Sequence, residues 1–333
     1  MAGESVDIRS RPPAERRPDH ADAEGARGRR RVVALLKIAV SAGLLAYLLS
    51  RVDASRTLAS MESAAPAPLV AAFGMYLAGQ VASAVKWRML AAAVGFTDPP
   101  LVFVANYFVG MFFNVFGLGT VGGDVVRALY LAGAGGRRTV ALNTVLADRL
   151  SGLFVLLAIA LVSLLLFRSY ELPAGLYWTT LSFSALLLAG WRAAPWVVSR
   201  WFRESSRVRR LVEHDLAPYW NDLTLLARVA GVSLVFHCSQ IATQMLIARA
   251  LGLEVPLSYF FIFVPLVNLA SSLPVSLNGI GVREGGTVFF LTHVGVAEEA
   301  AIAFALVWLG ILIAAGLVGG IVYLSRRRAG DAS

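Results

Sequence analysis

At 333 residues with 57% apolar side chains and a mean hydropathy of +0.68, the chain is too apolar for a water-soluble domain of its length. Its formal net charge of +9 comes from Arg concentrated beside apolar runs, where anionic lipid headgroups attract it, so nucleic acid is not the expected partner. Cys238 is the single cysteine, which excludes an intramolecular disulfide and a thiolate zinc site.

Residues 1–31 are rich in Arg, Pro, Asp and Glu and hold almost nothing to bury, the composition of a disordered basic tail that ends in Arg29, Arg30 and Arg31. The apolar run from 32 to about 50 is long for a signal-peptide core and lacks a small-residue cleavage site, so it is expected to persist as a first helix. Residues 69–167 then read as helix, hairpin, helix, and residues 229–324 repeat that order. The first hairpin, 101–131, is interrupted at Gly122 and Gly123, and the second, about 257–293, at Pro274, Gly279 and Gly281. Two full crossings need about 40 residues before any turn, more than either stretch holds, so each is expected to dip in and return to its own side. Residues 174–191 supply a further helix outside this pattern.

With the basic tail cytoplasmic, the loops at 86–100, 132–139 and 192–228 and the C-terminus fall on the same side and carry most of the Lys and Arg. The opposite side holds Arg51, Arg56 and Arg168, so the positive-inside bias is strongly obeyed. The two helix–hairpin–helix units then have opposite orientation. Such inverted repeats with broken helices near the midplane are a transporter architecture. The expected fold is therefore all-α: a polytopic membrane bundle of eight apolar segments, about six full spans plus two re-entrant hairpins, occupying 32–325 as one domain with 326–333 as a cytoplasmic C-terminal tail. A topology in which both hairpins cross fully is the alternative. The stretch around Trp196, Trp201, Phe202, Arg207, Arg209, Arg210 and Leu211 mixes aromatic anchors with Arg and suits an amphipathic helix at anionic headgroups.

Three acids, Asp124, Asp148 and Glu284, and three arginines, Arg127, Arg149 and Arg283, lie within the membrane segments. An isolated charge at mid-membrane costs roughly 2.5 to 3.5 kcal/mol even on lenient scales, so these six require mutual pairing or water. Asp148 and Arg149 are sequence neighbours that point about 100° apart on a helix and need partners from elsewhere. Asp148 is expected to pair with Arg127 or Arg283, and Arg149 with Glu284 or Asp124, tying the hairpins to the helix at 140–167. The glycine-rich segments Phe116 to Arg127 and Leu273 to Gly286 precede what read as half-helices whose N-termini would sit deep, where N–H groups and dipole favour an anion with Arg127 and Arg283 as its charge partners. Plain structural roles stand beside this reading: Asp124 as a helix cap, Glu284 as a first-turn acid, and the arginines as internal ion-pair partners. Asn106, Asn114, Asn143, Asn268, Asn278, Gln240 and Gln244 read as interhelical glue, and His237 and His293 as packed singletons with no metal site. The GxGxxG at Gly117–Gly122 interrupts a helical pair rather than following a strand, so no dinucleotide or other cofactor is expected.

Taken together, GGDVVRALYL (Gly122 to Leu131), VLADRLSGL (Val145 to Leu153) and LPVSLNGIGVREGG resemble the flippase-like transmembrane family of lysylphosphatidylglycerol synthases over about 32–325. The resemblance implies a protein of the bacterial inner membrane, with both termini cytoplasmic, that moves an anionic phospholipid or a lipid-linked precursor between leaflets. By matching position it makes Asp124, Arg127, Asp148, Arg149, Arg283 and Glu284 the motif residues. Where the family usually has a proline before the first GGD, this chain has Gly117 and Gly119, so the first break is expected to differ in shape. The soluble aminoacyl-transferring domain of the full synthases is not seen after the membrane region, and lipid aminoacylation is not expected. Lipid translocation without catalysis is the leading reading. An intramembrane enzyme on lipid phosphates, with Asp148 or Glu284 as base, is the second class. The third is a noncatalytic partner of a cell-envelope glycosyltransferase. Oligomeric state is left open.

Overall fold

A computed structural model describes residues 20–51, 53–117, 120–133, 136–273 and 276–331, and among them every regular element is helical. In chain order these are α1 (His20–Ser50), α2 (Ala54–Glu62), α3 (Pro66–Ala93), α4 (Pro100–Phe116), α5 (Thr120–Ala132), α6 (Arg138–Leu166) and α7 (Ala174–Trp201). After them come α8 (Arg207–Arg210), a π-turn at Leu211–Asp215, α9 (Ala217–Asn221), α10 (Leu223–Ala250), α11 (Leu257–Ser272), a 3-10 turn at Leu277–Gly279, α12 (Val282–His293) and α13 (Glu298–Asp331). Among the described residues five helices, α3, α6, α7, α10 and α13, are long and apolar enough to cross a membrane; α1 from Leu35 and α2 would make a sixth span if their 90° bend is one broken crossing.

Sequence chemistry sets most of the boundaries. α3 and α4 open on proline, which is pre-shaped for a first turn and gives up an N–H that would be unpaired anyway. Asp222 caps α10 by accepting from Leu225 N at 2.9 Å. α3 and α12 each close on a glycine with positive φ, Gly95 and Gly295, just past the helix end. Several boundaries depart from the sequence reading: α7 runs to Trp201, past the helix expected over 174–191, and α13 runs to Asp331, through the tail expected at 326–333. α1 already begins at His20, ahead of the apolar run, because the intervening Ala, Glu and Arg are good helix formers. α3 runs to Ala93, so Lys86 and Arg88 belong to a helix and not to the loop expected at 86–100.

The pairing of helix ends gives the bundle its order. Ala65 N donates to Ala250 O, which sets α3 and α10 antiparallel with the start of one beside the end of the other. Tyr170, just past α6, bonds Ser258 at the start of α11, and His293 at the end of α12 donates to Tyr170 O, so both ends of the second hairpin meet that same end of the bundle. The opposite end gathers α4 and the last turns of α13, where Arg326 bonds Asn106. α4 lies antiparallel to α13, with Gly316 against Val115 and Phe116, and Gly319 and Gly320 against Phe108 and Phe112. Its tip therefore stops beside the middle of the 34-residue α13. At 1.5 Å per residue the arms α4, α5, α11 and α12 extend about 26, 20, 24 and 18 Å, each less than the ~30 Å hydrocarbon thickness.

Most of the core sits where α3, α10, α11, α12 and α13 converge, on Tyr76, Ile241, Tyr259, Phe263, Phe290 and Trp308. A smaller cluster on Trp87, Phe103, Ala128 and Val145 joins α3, α4, α5 and α6. The charged site lies against this second cluster.

Candidate functional site

The first hairpin breaks between Phe116 and Thr120, not at Gly122 and Gly123, which fall inside the opening turns of α5. Gly123 serves a different purpose. A Cβ there would overlap the carbonyl of Gly110 and the side chain of Asn114, so its absence lets the two arms touch backbone to backbone. Gly123 N donates to Asn114 Oδ1 at 3.0 Å across that contact. Gly122 has only ordinary clearance and carries no such demand.

From this arm, α5 carries Asp124 and Arg127 against α6. Arg127 Nη2 donates to Asp148 Oδ2 at 2.9 Å, and its Nε lies 3.3 Å from Asp124 Oδ1. Asp124 in turn receives a two-pronged bond from Arg149, Nε at 2.9 Å and Nη2 at 3.0 Å. Both pairings were among the sequence expectations, as the Arg127 and Asp124 alternatives. Asp124 is thus an ion-pair partner rather than a helix cap, since α5 starts a full turn before it.

Lys86 on α3 completes the chain of charges and is the residue the sequence reading missed. Its Nζ lies 3.1 Å from Asp148 Oδ1 and donates to Asp148 O at 3.0 Å, with the side chain only 3% exposed. The Ala-rich run after it, closed by Gly95, is the signal that α3 extends past Lys86. The order is Lys86, Asp148, Arg127, Asp124, Arg149: cation and anion alternate, and both ends are cations. Arg127 is 3% exposed and lies between two aromatic faces, Trp87 at 4.9 Å and Tyr107 at 5.0 Å from the guanidinium carbon. Trp87 is fixed by its bond to Thr144 Oγ1 at 2.9 Å, and Tyr107 by its bond to Ser83 at 2.8 Å. Arg127 Nη1 has no hydrogen-bond partner. Arg149, at the other end, keeps 56% of its side chain exposed.

The second hairpin presents a separate, self-contained pair. Asn278, Gly279 and Gly281 all have positive φ, so the chain between α11 and α12 folds through left-handed conformations that glycine adopts without strain. Gly279 and Gly281 are thus true break residues, whereas Pro274 lies outside the described residues. Glu284 reaches back to accept from Gly281 N, capping α12, and Arg283 donates to the same carboxylate, Nη2 to Oε1 at 2.9 Å. Adjacent residues here do pair, because Glu284 is folded over the helix start and the long Arg283 arm wraps round to meet it. Arg283 and Glu284 are 8% and 2% exposed. α1 covers the break: Ser41 Oγ accepts from Leu277 N at 2.8 Å, and Leu44 packs on Gly281. The two hairpin sites therefore share no hydrogen bond or ion pair among the described residues.

Asn106 and Asn114 bridge elements as expected of interhelical glue. His293 is satisfied by Tyr170 O, and His237 Nε2 donates to Gly152 O at 3.0 Å. No curated protein matches the chain. The DR pair on α6, with Asp148 buried and Arg149 half exposed, the GGD…R arm facing it and the GxGxRE turn of the second hairpin are the parts that carry the resemblance. The family model described as lysylphosphatidylglycerol synthase TM region matches residues 34–320, and the chain belongs to that family of membrane regions tied to lipid metabolism.

Proposed function

We propose that this protein translocates an anionic or lipid-linked headgroup between the leaflets of a bacterial inner membrane while the acyl chains stay in the bilayer. The observation that carries the proposal is Arg127, a buried guanidinium held between two rings with Nη1 unpartnered. A buried donor without a partner is costly, and a headgroup phosphate, which offers two free anionic oxygens, is an acceptor that the planar fork of a guanidinium fits well. Adding Lys86 to the six motif charges leaves one positive charge over, so an arriving anion neutralises the set. Arg149, half exposed at the end of the chain of charges, is positioned to receive the headgroup first, and Asp124 releases it inward to Arg127. Translocation of this kind needs no chemical step and no catalytic residue.

The bundle supports an inverted repeat: α3 to α6 and α10 to α13 have the same helix–hairpin–helix order, and the hairpins meet opposite ends of the bundle. The arm lengths and the position of the α4 tip favour re-entrant hairpins over full crossings. The positive-inside bias then favours cytoplasmic termini.

The test is a leaflet-transfer assay with a fluorescent phosphatidylglycerol in proteoliposomes. Transfer should be lost in Arg127→Ala and partly kept in Arg127→Lys, which retains charge without the fork. Transfer by Arg127→Ala at the rate of the unaltered protein would remove the proposal's central residue.

A further inference from the structure

Along α10, Ser233, His237, Gln240 and Gln244 recur at spacings of four, three and four, so they share one face of the helix. All are buried, at 0%, 7%, 5% and 1% exposure. Each keeps a polar atom with no partner: Ser233 Oγ, His237 Nδ1, Gln240 Nε2 and both ends of the Gln244 amide. Buried polar atoms are otherwise almost always bonded, and such a run along one face is not explained by packing. The facing helix is α3, which sets Gly79 against Ser239 and Gln240 and buries Gln80, Ser83 and Lys86.

The length of this run matches the gap between the two charged sites. From Tyr76, packed in the core with Phe263 and Phe290 of the second hairpin, to Lys86, paired with Asp148, α3 rises about 15 Å, and from Gln244 to Ser233 α10 rises about 16 Å. The unpartnered set mixes donors, the glutamine Nε2 atoms, with acceptors, His237 Nδ1 and Gln244 Oε1. A metal cation cannot be held by amide N–H donors and would be repelled by Lys86, whereas water takes donors and acceptors alike.

We infer that the α3–α10 seam is a hydrated proton path joining the two hairpin sites, with His237 as its titratable node. The Nε2–H bond to Gly152 O fixes the neutral tautomer and leaves Nδ1 as acceptor. A proton taken up at Nδ1 gives the imidazolium with N–H on both nitrogens, and its loss from Nδ1 restores the neutral ring, so the seam gains and sheds one charge per proton. Lys86 of α3 is the charge whose field reaches the ring. α6 presents Gly152 between the two, where a Cβ would lie 3.2 Å from Lys86 Nζ, and Asp148 beyond Lys86. α9 and α11 bring neutral phenols, Tyr219 and Tyr259, and α13 carries its charged residues only toward its two ends.

The experiment is proton uptake into pyranine-loaded proteoliposomes of phosphatidylethanolamine and phosphatidylglycerol, driven by a valinomycin-clamped potassium gradient, with fluorescent-lipid transfer measured in the same preparation. The unaltered protein should raise proton uptake above protein-free vesicles, and His237→Gln should return it to that background. Gln244→Leu, which makes the seam apolar without touching a titratable group, should do the same, and guards against a histidine variant that fails to fold. Uptake by the unaltered protein at the protein-free rate, or by both variants at the unaltered rate, overturns the inference. Proton uptake without lipid transfer would leave this path standing and sink the translocation reading, and lipid transfer without uptake would do the reverse.

Discussion

Asp148 holds two cations at once, Lys86 from α3 and Arg127 from α5, and all three side chains are at most 4% exposed. Removing the shared carboxylate strands both charges, so Asp148→Asn should lower stability by about 3 to 5 kcal/mol. Thermal unfolding in detergent should show this loss, and adding Lys86→Met should recover part of it, because one stranded charge goes too. Arg149 differs in kind. Half exposed, its pair with Asp124 should contribute no more than about 1 kcal/mol. Arg149→Ala should therefore melt close to the unaltered protein yet slow leaflet transfer of fluorescent phosphatidylglycerol, separating a binding role from a stabilising one. The sequence made Arg127, Asp148, Asp124 and Arg149 legible because charges in apolar runs must find each other. It hid Lys86, since a lysine near the end of an apolar run reads as the start of a loop until the helix beyond it is seen.

At the scale of elements, the first hairpin depends on close backbone approaches that only glycine permits. Gly123 lets α5 touch α4, and Gly319 lets α13 touch the Phe108 carbonyl on the opposite side of α4. Gly123→Ala and Gly319→Ala should each destabilise by roughly 1 to 3 kcal/mol through forced separation of backbones, while Gly122→Ala should be tolerated. Melting temperatures of the three variants in one detergent would check the contrast. The sequence marks all these glycines alike. Which of them breaks a helix and which permits a close approach depends on the neighbouring arm, a contact distant in sequence, and that is why the break was placed at Gly122 and Gly123 instead of before Thr120. The second turn was easier to read, because Gly279 and Gly281 act locally, through backbone angles open to them.

For the whole molecule, re-entrant hairpins predict which surfaces face the same compartment. Single cysteines at Thr97 and Thr139, placed in a Cys238→Ser background, should react with an impermeant maleimide from one side of the membrane. Cysteines at Glu254 and Ala297 should react from the other. Labelling of Thr97→Cys and Thr139→Cys from opposite sides would mean that the first hairpin region crosses the bilayer an odd number of times. The all-helical class and the family were legible from hydropathy and motif spacing. How the halves grip each other was not, because helix pairing across more than a hundred residues leaves no periodic trace.

That grip is reciprocal: α4, from the early half, lies along α13, and α11, from the late half, lies along α6. Neither half can complete its own interior. A nascent chain must therefore hold an unfinished hairpin in the membrane until α13 is made, so release of a chain stopped at 297 should leave α4 and α5 open to membrane proteases. Biogenesis of this bundle is then all-or-none, and any quality-control check has to wait for α13.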